Sequence, residues 1–130
     1  MTKHPRIILA DDHVLLLDAI KNLLGPDFEV VGTFTDGRAL LNGAAELKPD
    51  VVVLDINMPN MNGLEFVTKV RADPRLRGMT LVMVTTESEQ SQIVRALAAG
   101  AHEYVIKPFT ENAMVEKLAL LGLLPTGASS

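Results

Sequence analysis

An α/β fold is predicted for this chain, namely a doubly wound, five-stranded parallel sheet in the order 2-1-3-4-5 with helices on both faces. Short apolar runs alternate five times with segments whose apolar residues recur every three or four positions. The connections are only a few residues long, which requires right-handed crossovers between parallel strands. Residues 51–54 are all apolar and have polar neighbours on both sides, as is typical of a strand buried on both faces.

The five strands are predicted at residues 7–10, 28–32, 51–54, 81–84 and 104–106. The apolar positions of the first helix have helical spacing: Val14, Leu17, Ile20, Leu23 and Leu24. Gly25 and Pro26 end that helix, because neither residue favours a further turn. Asp36 is the predicted N-cap of the second helix, which Pro49 closes.

Three further helices are predicted in the second half of the chain. Asn62 and Glu65 have the spacing of a capping box at the start of the third helix. Ser88 is the predicted cap of the fourth helix, which ends at Gly100, and Thr110 begins the last. Their apolar residues are Leu64, Val67, Val70, Ile93, Val94, Leu97, Met114, Leu118 and Leu121. Together the elements predict one domain over residues 1–124, followed by a disordered tail or the start of a linker at 125–130.

The composition excludes several kinds of site. No apolar run approaches the roughly 20 residues that span a bilayer, and the chain opens without a signal sequence, so a cytoplasmic location without membrane contact is expected. The chain has no cysteine, which excludes disulfides and thiolate metal sites, and its three histidines lack zinc-ligand spacing. The net charge of −4, with lysine and arginine dispersed, argues against nucleic-acid binding by this domain.

Charged and hydroxyl side chains stand where four of the predicted strands end. Asp11 and Asp12 follow the first strand, Asp55 the third, Thr85 the fourth and Lys107 the fifth. The first and third strands are neighbours in the order 2-1-3-4-5, so three carboxylates are expected in one pocket. The three carboxylates repel one another unless a cation is present, and a site with only oxygen ligands suits Mg²⁺. Lys107 and Thr85 add a positive charge and a hydroxyl donor, which together favour a phosphoryl group carried on a carboxylate.

These residues belong to four longer motifs, at residues 8–12, 54–63, 83–85 and 104–109. The motifs read Ile-Leu-Ala-Asp-Asp, Leu-Asp-Ile-Asn-Met-Pro-x-Met-x-Gly, Met-Val-Thr and Tyr-Val-Ile-Lys-Pro-Phe. In this order and spacing they resemble the receiver domain of bacterial two-component response regulators, over residues 6–121. The second half is similar to the single-domain, CheY-like members, which implies a flavodoxin/CheY-like fold.

The resemblance implies a role for each residue of the pocket. Asp55 would be the phosphoacceptor, and Lys107 would pair with the phosphoryl oxygens. Asp12 and Asp55 would bind Mg²⁺ directly, Asp11 through a water molecule and Asn57 through its backbone carbonyl.

The resemblance also implies a conformational switch. Thr85 would move to hydrogen-bond the phosphoryl group, and Tyr104 would rotate inward with it. This movement would remodel the face of helix 4, strand 5 and helix 5, where a downstream target protein binds. The domain would be a signalling switch rather than an enzyme. It would catalyse only its own phosphorylation, from a sensor histidine kinase or a histidine phosphotransfer protein, and its own dephosphorylation.

Leucines near the end of the last helix exceed what one buried face requires: Leu118, Leu120, Leu121, Leu123 and Leu124. They are expected to serve a partner or a second copy, so a monomer or a weak homodimer is predicted.

Three residues also have simpler interpretations. Asn57 is a common turn former beside Pro59, and Tyr104 is compatible with a static, half-buried aromatic. His13, next to the acidic pair, suggests a phosphohistidine or a metal ligand, but a solvent-facing residue of the first helical turn is the preferred interpretation.

Three other functions are alternatives. A haloacid-dehalogenase-like phosphatase also forms an aspartyl phosphate, but it needs a second aspartate two residues after the nucleophile, where this chain has Asn57. A flavodoxin-like electron carrier shares the fold, but no Gly/Ser/Thr-rich phosphate loop follows the first strand. A degenerate receiver would bind partners without phosphorylation, and the intact set of acidic, hydroxyl and lysine residues counts against it.

Overall fold

The computed structural model describes residues 5–24, 28–86, 90–107, 113, 116 and 117. The elements alternate as predicted: β1 (Arg6–Ala10), α1 (Val14–Leu24), β2 (Glu29–Phe34), α2 (Gly37–Leu47), β3 (Val51–Asp55), α3 (Gly63–Ala72), β4 (Thr80–Thr85), α4 (Gln90–Ala99) and β5 (Glu103–Ile106). Ala113, Glu116 and Lys117 are also helical. Several predictions fall outside the described residues: the helix end at Gly25 and Pro26, the cap at Ser88, the helix start at Thr110, Met114, the leucines at 118–124 and the tail at 125–130.

All five strands are parallel and are hydrogen-bonded in the order β2-β1-β3-β4-β5, which confirms the predicted fold. β1 and β3 lie side by side, and their register pairs Ala10 with Leu54. Asp11, which follows β1, and Asp55, the last residue of β3, are therefore adjacent at the carboxyl end of the sheet. Open α/β sheets bind ligands at this switch point, at the carboxyl ends of the strands.

Alternate residues of the strands point to opposite faces of the sheet and pack into two apolar clusters. In β3, Val52 and Leu54 join the larger cluster with residues of α2, α3 and α4, whereas Val51 and Val53 join the smaller cluster with residues of α1. Helices therefore cover both faces, as predicted. Phe66 of α3 is fully buried in the larger cluster, and burial of such a side chain stabilises the fold by about 2–3 kcal/mol.

Two helices expose part of their apolar residues. In α1, Leu17 and Ile20 are buried, but Leu15 is 85 % exposed. In α4, Ile93 is buried, whereas Val94 is 68 % exposed. Successive residues of a helix are turned by about 100°, so one of two adjacent apolar residues points away from the core. Within the described residues, no helix combines the length and the apolar content needed to cross a bilayer.

The predicted caps of α2 and α3 are confirmed. The Asp36 carboxylate accepts a hydrogen bond from the backbone N–H of Ala39 at 2.8 Å. Asn62 and Glu65 form the reciprocal hydrogen bonds of a capping box. This box starts α3 directly after the loop that follows Asp55, so it fixes the point at which that loop ends.

At the amino ends of the strands, Arg71 of α3 joins three stretches of chain. Its Nε donates to the carbonyl oxygen of Gly100 at 2.9 Å, and its Nη1 donates to that of Arg77 at 2.7 Å. Its Nη2 donates to the carbonyl oxygen of Met79 at 3.3 Å. Because Met79 precedes β4 and Gly100 lies shortly before β5, the guanidinium connects the end of α3 to the starts of two strands.

His102 lies beside this guanidinium. Its Nδ1 accepts a hydrogen bond from the backbone N–H of Leu81 at 3.0 Å and is 3.2 Å from Nη2 of Arg71. Burial, and then the charge of Arg71, lower the pKa of His102. Both neighbours are hydrogen-bond donors, so Nδ1 carries no proton and the ring is neutral in this arrangement.

Candidate functional site

Four strands deliver charged or hydroxyl side chains to the carboxyl edge of the sheet. Asp11 follows β1, Asp55 ends β3, Thr85 ends β4 and Lys107 follows β5. Asp11, Asp55 and Thr85 are only 2 %, 6 % and 0 % exposed, whereas the side chain of Asp12 is 44 % exposed. Buried carboxylates cost free energy unless they are paired, so the pocket depends on the partners of Asp11 and Asp55.

Lys107 pairs with both buried carboxylates. Its Nζ is 2.8 Å from Oδ2 of Asp11 and 3.0 Å from Oδ2 of Asp55. The backbone N–H of Lys107 donates to the carbonyl oxygen of Thr85 at 2.6 Å, which extends the pairing of β5 with β4. The structure thus brings together the residues at the ends of β1, β3 and β5.

The other oxygen of each buried carboxylate also has a partner. Oδ1 of Asp55 accepts a hydrogen bond from the backbone N–H of Asn57 at 3.0 Å. Oδ1 of Asp11 accepts one from the backbone N–H of His13 at 2.9 Å and lies 3.0 Å from Nδ1 of that histidine. Nδ1 of His13 is also 3.0 Å from Oδ1 of Asp12. The His13 side chain is 70 % exposed, yet its ring contacts both acidic residues.

The two buried carboxyl groups have opposite pKa shifts. Burial raises the pKa of Asp55, and the hydrogen bonds from Asn57 and Lys107 offset this only in part. Burial also acts to raise the pKa of Asp11, but the hydrogen bonds from Lys107 and His13 outweigh it, so the pKa is lowered. Burial acts to lower the pKa of Lys107, and its two carboxylate partners reverse that effect. One ammonium thus pairs with Asp11 and Asp55, and Asp12 lies beside them.

This excess of acidic groups fits a divalent cation. Ligand atoms of Asp11, Asp12, His13 and Asp55 all lie within 4.8 Å of one another. Mg²⁺ prefers oxygen ligands and is commonly held by one or two carboxylates together with water. Two buried carboxylates beside a more exposed one meet this requirement, so the residues present fit Mg²⁺.

The loop after Asp55 is held against the start of α2. The backbone N–H of Gly37 donates to the carbonyl oxygen of Pro59 at 3.2 Å. A Cβ atom at position 37 would lie 1.8 Å from the carbonyl oxygen of Met61, so only glycine permits this approach. Gly37 thereby sets the position of the loop beside the pocket. Sequence reasoning missed this contact, and its one local signal is that Gly37 directly follows an N-cap.

The two predicted switch residues, Thr85 and Tyr104, lie on the same face of the sheet. The register pairs Tyr104 with Met83, and Thr85 follows Met83 by two positions. Oγ1 of Thr85 donates to the carbonyl oxygen of Thr86 at 3.3 Å. Tyr104 is half-buried against the larger apolar cluster, and Nζ of Lys117 lies 5.0 Å from the centre of its ring. Thr85 and Tyr104 are therefore diagonal neighbours on β4 and β5.

Residues 7–119 match the family model of the response regulator receiver domain. The chain is 31 % identical to the chemotaxis protein CheY of Thermotoga maritima, over 87 % of this chain and 93 % of the relative. It is 38 % identical to the chemotaxis protein CheY of Pseudomonas aeruginosa, over 87 % of this chain and 92 % of that protein. A protein-glutamate methylesterase/protein-glutamine glutaminase of Nocardioides sp. is 41 % identical over 79 % of this chain, but the match spans only 29 % of that longer relative.

Solved structures show the same fold. The signal receiver domain of the putative response regulator NarL from Mycobacterium tuberculosis has a TM-score of 0.84 at 27 % identity, over 92 % of this chain and 97 % of that one. The chemotaxis response regulator CheY4 of Vibrio cholerae has a TM-score of 0.83 at 28 % identity, over 92 % of this chain and 99 % of that one. Sequence and fold together show that this chain belongs to the response regulator receiver family.

Proposed function

We propose that this chain is a phosphorylatable switch that accepts a phosphoryl group on Asp55. The observation that carries the proposal is the 3.0 Å contact between Asp55 and Lys107, in a pocket that also holds Asp11 and Asp12. A structural ion pair needs one acid for one base, whereas this lysine is outnumbered by carboxylates. Membership of the receiver family supports the same role, because receivers are signalling switches.

The transfer would begin at the ionised carboxylate of Asp55. One of its oxygens attacks the phosphorus of a phosphohistidine on a sensor histidine kinase or a histidine phosphotransfer protein. The new O–P bond forms as the N–P bond breaks, and the leaving imidazole nitrogen takes up a proton from solvent. Lys107 would remain beside the transferred oxygens and offset their negative charge. Attack of water on the same phosphorus would later break the bond between it and the Asp55 oxygen, releasing inorganic phosphate and restoring the carboxylate.

Mg²⁺ is the proposed cofactor. Asp12, Asp55 and the backbone carbonyl of Asn57 would hold it directly, and Asp11 would do so through water. When bound, the ion neutralises charge on phosphoryl oxygens, as divalent cations do in phosphoryl transfer. The exposure of Asp12 beside the buried Asp55 supports entry of the ion from the solvent side.

Phosphorylation is proposed to act on the face of α4, β5 and the helix that follows. Thr85 would hydrogen-bond the phosphoryl group, and Tyr104 would follow it inward, a coupling that their diagonal arrangement supports. On α4, Val94 and Leu97 are 68 % and 37 % exposed. Exposed apolar side chains at this face suit the binding of a downstream target protein.

The proposed functional domain comprises residues 1–124, with a tail at 125–130. It would act in the cytoplasm, as a monomer or a weak homodimer, without binding nucleic acid or membrane. It would catalyse only its own phosphorylation and dephosphorylation. A phosphatase for other phosphoesters is the alternative function, and Asn57 disfavours it because an amide cannot serve as the general acid. Turnover of a small phosphoester would favour the phosphatase.

Intact mass spectrometry after incubation with acetyl phosphate tests the proposal. We expect the wild type to gain one phosphoryl group with Mg²⁺ present and none when the ion is chelated. Asp55→Asn should gain none. The control Asp18→Asn, which removes an exposed carboxylate of α1, should gain as much as the wild type. No adduct on the wild type would contradict the proposal, and an adduct on Asp55→Asn would place the acceptor elsewhere.

A further inference from the structure

His13 lies next to the carboxylates of the proposed cation pocket, directly before α1. Its Nδ1 is 3.0 Å from Oδ1 of Asp11 and 3.0 Å from Oδ1 of Asp12. One ligand atom from each of Asp11, Asp12, His13 and Asp55 lies within 4.8 Å of the others. One ion in the pocket is therefore within reach of an imidazole nitrogen as well as three carboxylates.

The two distances from Nδ1 match those between neighbouring ligands of a metal ion. Ligands at right angles on bonds of about 2.1 Å are separated by about 3.0 Å. A hydrogen bond explains one such distance well, because Nδ1 carries at most one hydrogen and a linear bond points to one acceptor. A cation between the three atoms would satisfy both carboxylate oxygens and the nitrogen together.

Lys107 contacts different carboxylate oxygens from those that Nδ1 of His13 contacts. Its ammonium contacts Oδ2 of Asp11 and Oδ2 of Asp55, at 2.8 and 3.0 Å. His13 contacts the opposite oxygen of Asp11, namely Oδ1. The lysine and the histidine thus occupy different sides of the pocket.

The histidine is also open to solvent. The side chains of His13 and Asp12 are 70 % and 44 % exposed, whereas Asp11 and Asp55 are buried. An ion from solution would meet the imidazole and one carboxylate first and the buried carboxylates next. His13 and Asp12 therefore lie on the solvent side of the pocket.

We propose that His13 is a nitrogen ligand that adapts this pocket to divalent first-row transition metals of the Ni²⁺ and Zn²⁺ type. Imidazole suits these ions, whereas Mg²⁺ is bound by oxygen. The inference rests on the proposed cation site and adds to it a preference among metals. Divalent first-row metals bind oxygen ligands as well, so a receiver pocket with oxygen ligands alone would show a smaller preference.

Calorimetric titration with Ni²⁺ and with Mg²⁺ tests the inference on the wild type, His13→Gln and His4→Gln. The affinity for Ni²⁺, and its ratio to the affinity for Mg²⁺, should fall at least about tenfold in His13→Gln. His4→Gln removes another histidine of the chain and should keep the wild-type values. In NMR spectra of the wild type, substoichiometric Ni²⁺ should broaden the ring signals of His13 before those of His102.

The outcomes separate the two proposals. Equal Ni²⁺ affinities in the wild type and His13→Gln, or selective broadening of His4, would overturn the role of His13 and leave the Mg²⁺ pocket intact. A wild type that binds Ni²⁺ but not Mg²⁺ would contradict the proposed cofactor, while the Ni²⁺ comparison would still decide the role of His13. A wild type that binds neither ion would overturn both.

Discussion

The two ends of the sheet each hold a partly buried cation, but the two cations have different kinds of partner. At the carboxyl ends of the strands, Lys107 contacts two carboxylates at 2.8 and 3.0 Å, with Asp12 close by. At the amino ends, Arg71 donates to three backbone carbonyl oxygens. Carbonyl oxygens carry no net charge, and the strands and turns fix their positions.

This difference separates a structural contact from the proposed cation site. The partners of Arg71 are supplied by the backbone, so its contacts are complete when the chain is folded. The pocket of Lys107 retains more acidic groups than basic ones, so we expect their repulsion to lower the free energy of unfolding and a bound cation to restore it. A divalent cation should therefore change the stability at one end of the sheet and not at the other.

Removal of the lysine should have the largest effect. Lys107→Met leaves Asp11 and Asp55 buried without their ammonium, so the free energy of unfolding should fall by about 3 kcal/mol in the absence of metal. Saturating Mg²⁺ should recover most of this loss, because the ion replaces the missing positive charge. Urea unfolding with and without Mg²⁺ measures both effects. A loss that Mg²⁺ does not reduce would contradict the charge imbalance.

Removal of the arginine should have a somewhat smaller effect that no cation repairs. Arg71→Met keeps much of the apolar contact but leaves three carbonyl oxygens without their charged donor, so the free energy of unfolding should fall by about 2 kcal/mol. Mg²⁺ should stabilise this variant only as much as the wild type, again by urea unfolding.

Arg75→Met is the matched control for this variant. Its guanidinium is 79 % exposed and pairs with Asp73, so the change should lower the free energy of unfolding much less than Arg71→Met does. If Mg²⁺ stabilised Arg71→Met more than it stabilises the wild type, the two ends of the sheet would not differ in the way proposed.

A methyl group at position 37 should disturb the carboxyl end through the backbone. Gly37→Ala places its Cβ 1.8 Å from the carbonyl oxygen of Met61, and the free energy of unfolding should fall by about 1–2 kcal/mol. Labelling by acetyl phosphate should also slow, because the loop after Asp55 must shift. Gly78→Ala is the control, since nothing lies within 4 Å of its added Cβ. Equal stability and equal labelling rates in the two variants would show that the loop adapts freely.

Lowering the pH should reduce the free energy of unfolding through His102, which lies at the amino end of the sheet. This is the smallest of the four effects. Burial and the charge of Arg71 lower the pKa of His102 below 6.5, so the unfolded chain binds this proton more tightly than the folded one. The stabilisation by neutral His102 is complete above pH 6.5 and is lost as the pH falls through the folded-state pKa. Urea unfolding from about pH 7.5 to 5.5 should show this decline in the wild type and a shallower one in His102→Gln. Identical slopes of stability against pH in the wild type and His102→Gln would contradict this role of His102.

Sequence alone determined the order of the sheet and the edge at which the charged residues gather. Both follow from local patterns, because strand length, helical spacing and short crossovers leave few arrangements for five alternating units. The caps at Asp36 and Asn62 are equally local, since each side chain bonds to a backbone three residues away. Asp11, Asp55 and Lys107 meet because they end or follow strands β1, β3 and β5.

Tertiary structure decided the contacts that no local pattern encodes. Arg71 reaches the carbonyl of Gly100 across 29 residues, and His102 accepts from Leu81 across 21. His13 is near Asp11 and Asp12 in sequence, but the orientation of its ring depends on how α1 packs after β1. Side-chain directions and long-range partners are set by the packing of whole elements. For that reason the sequence identified the pocket, and only the folded chain revealed which atoms surround it.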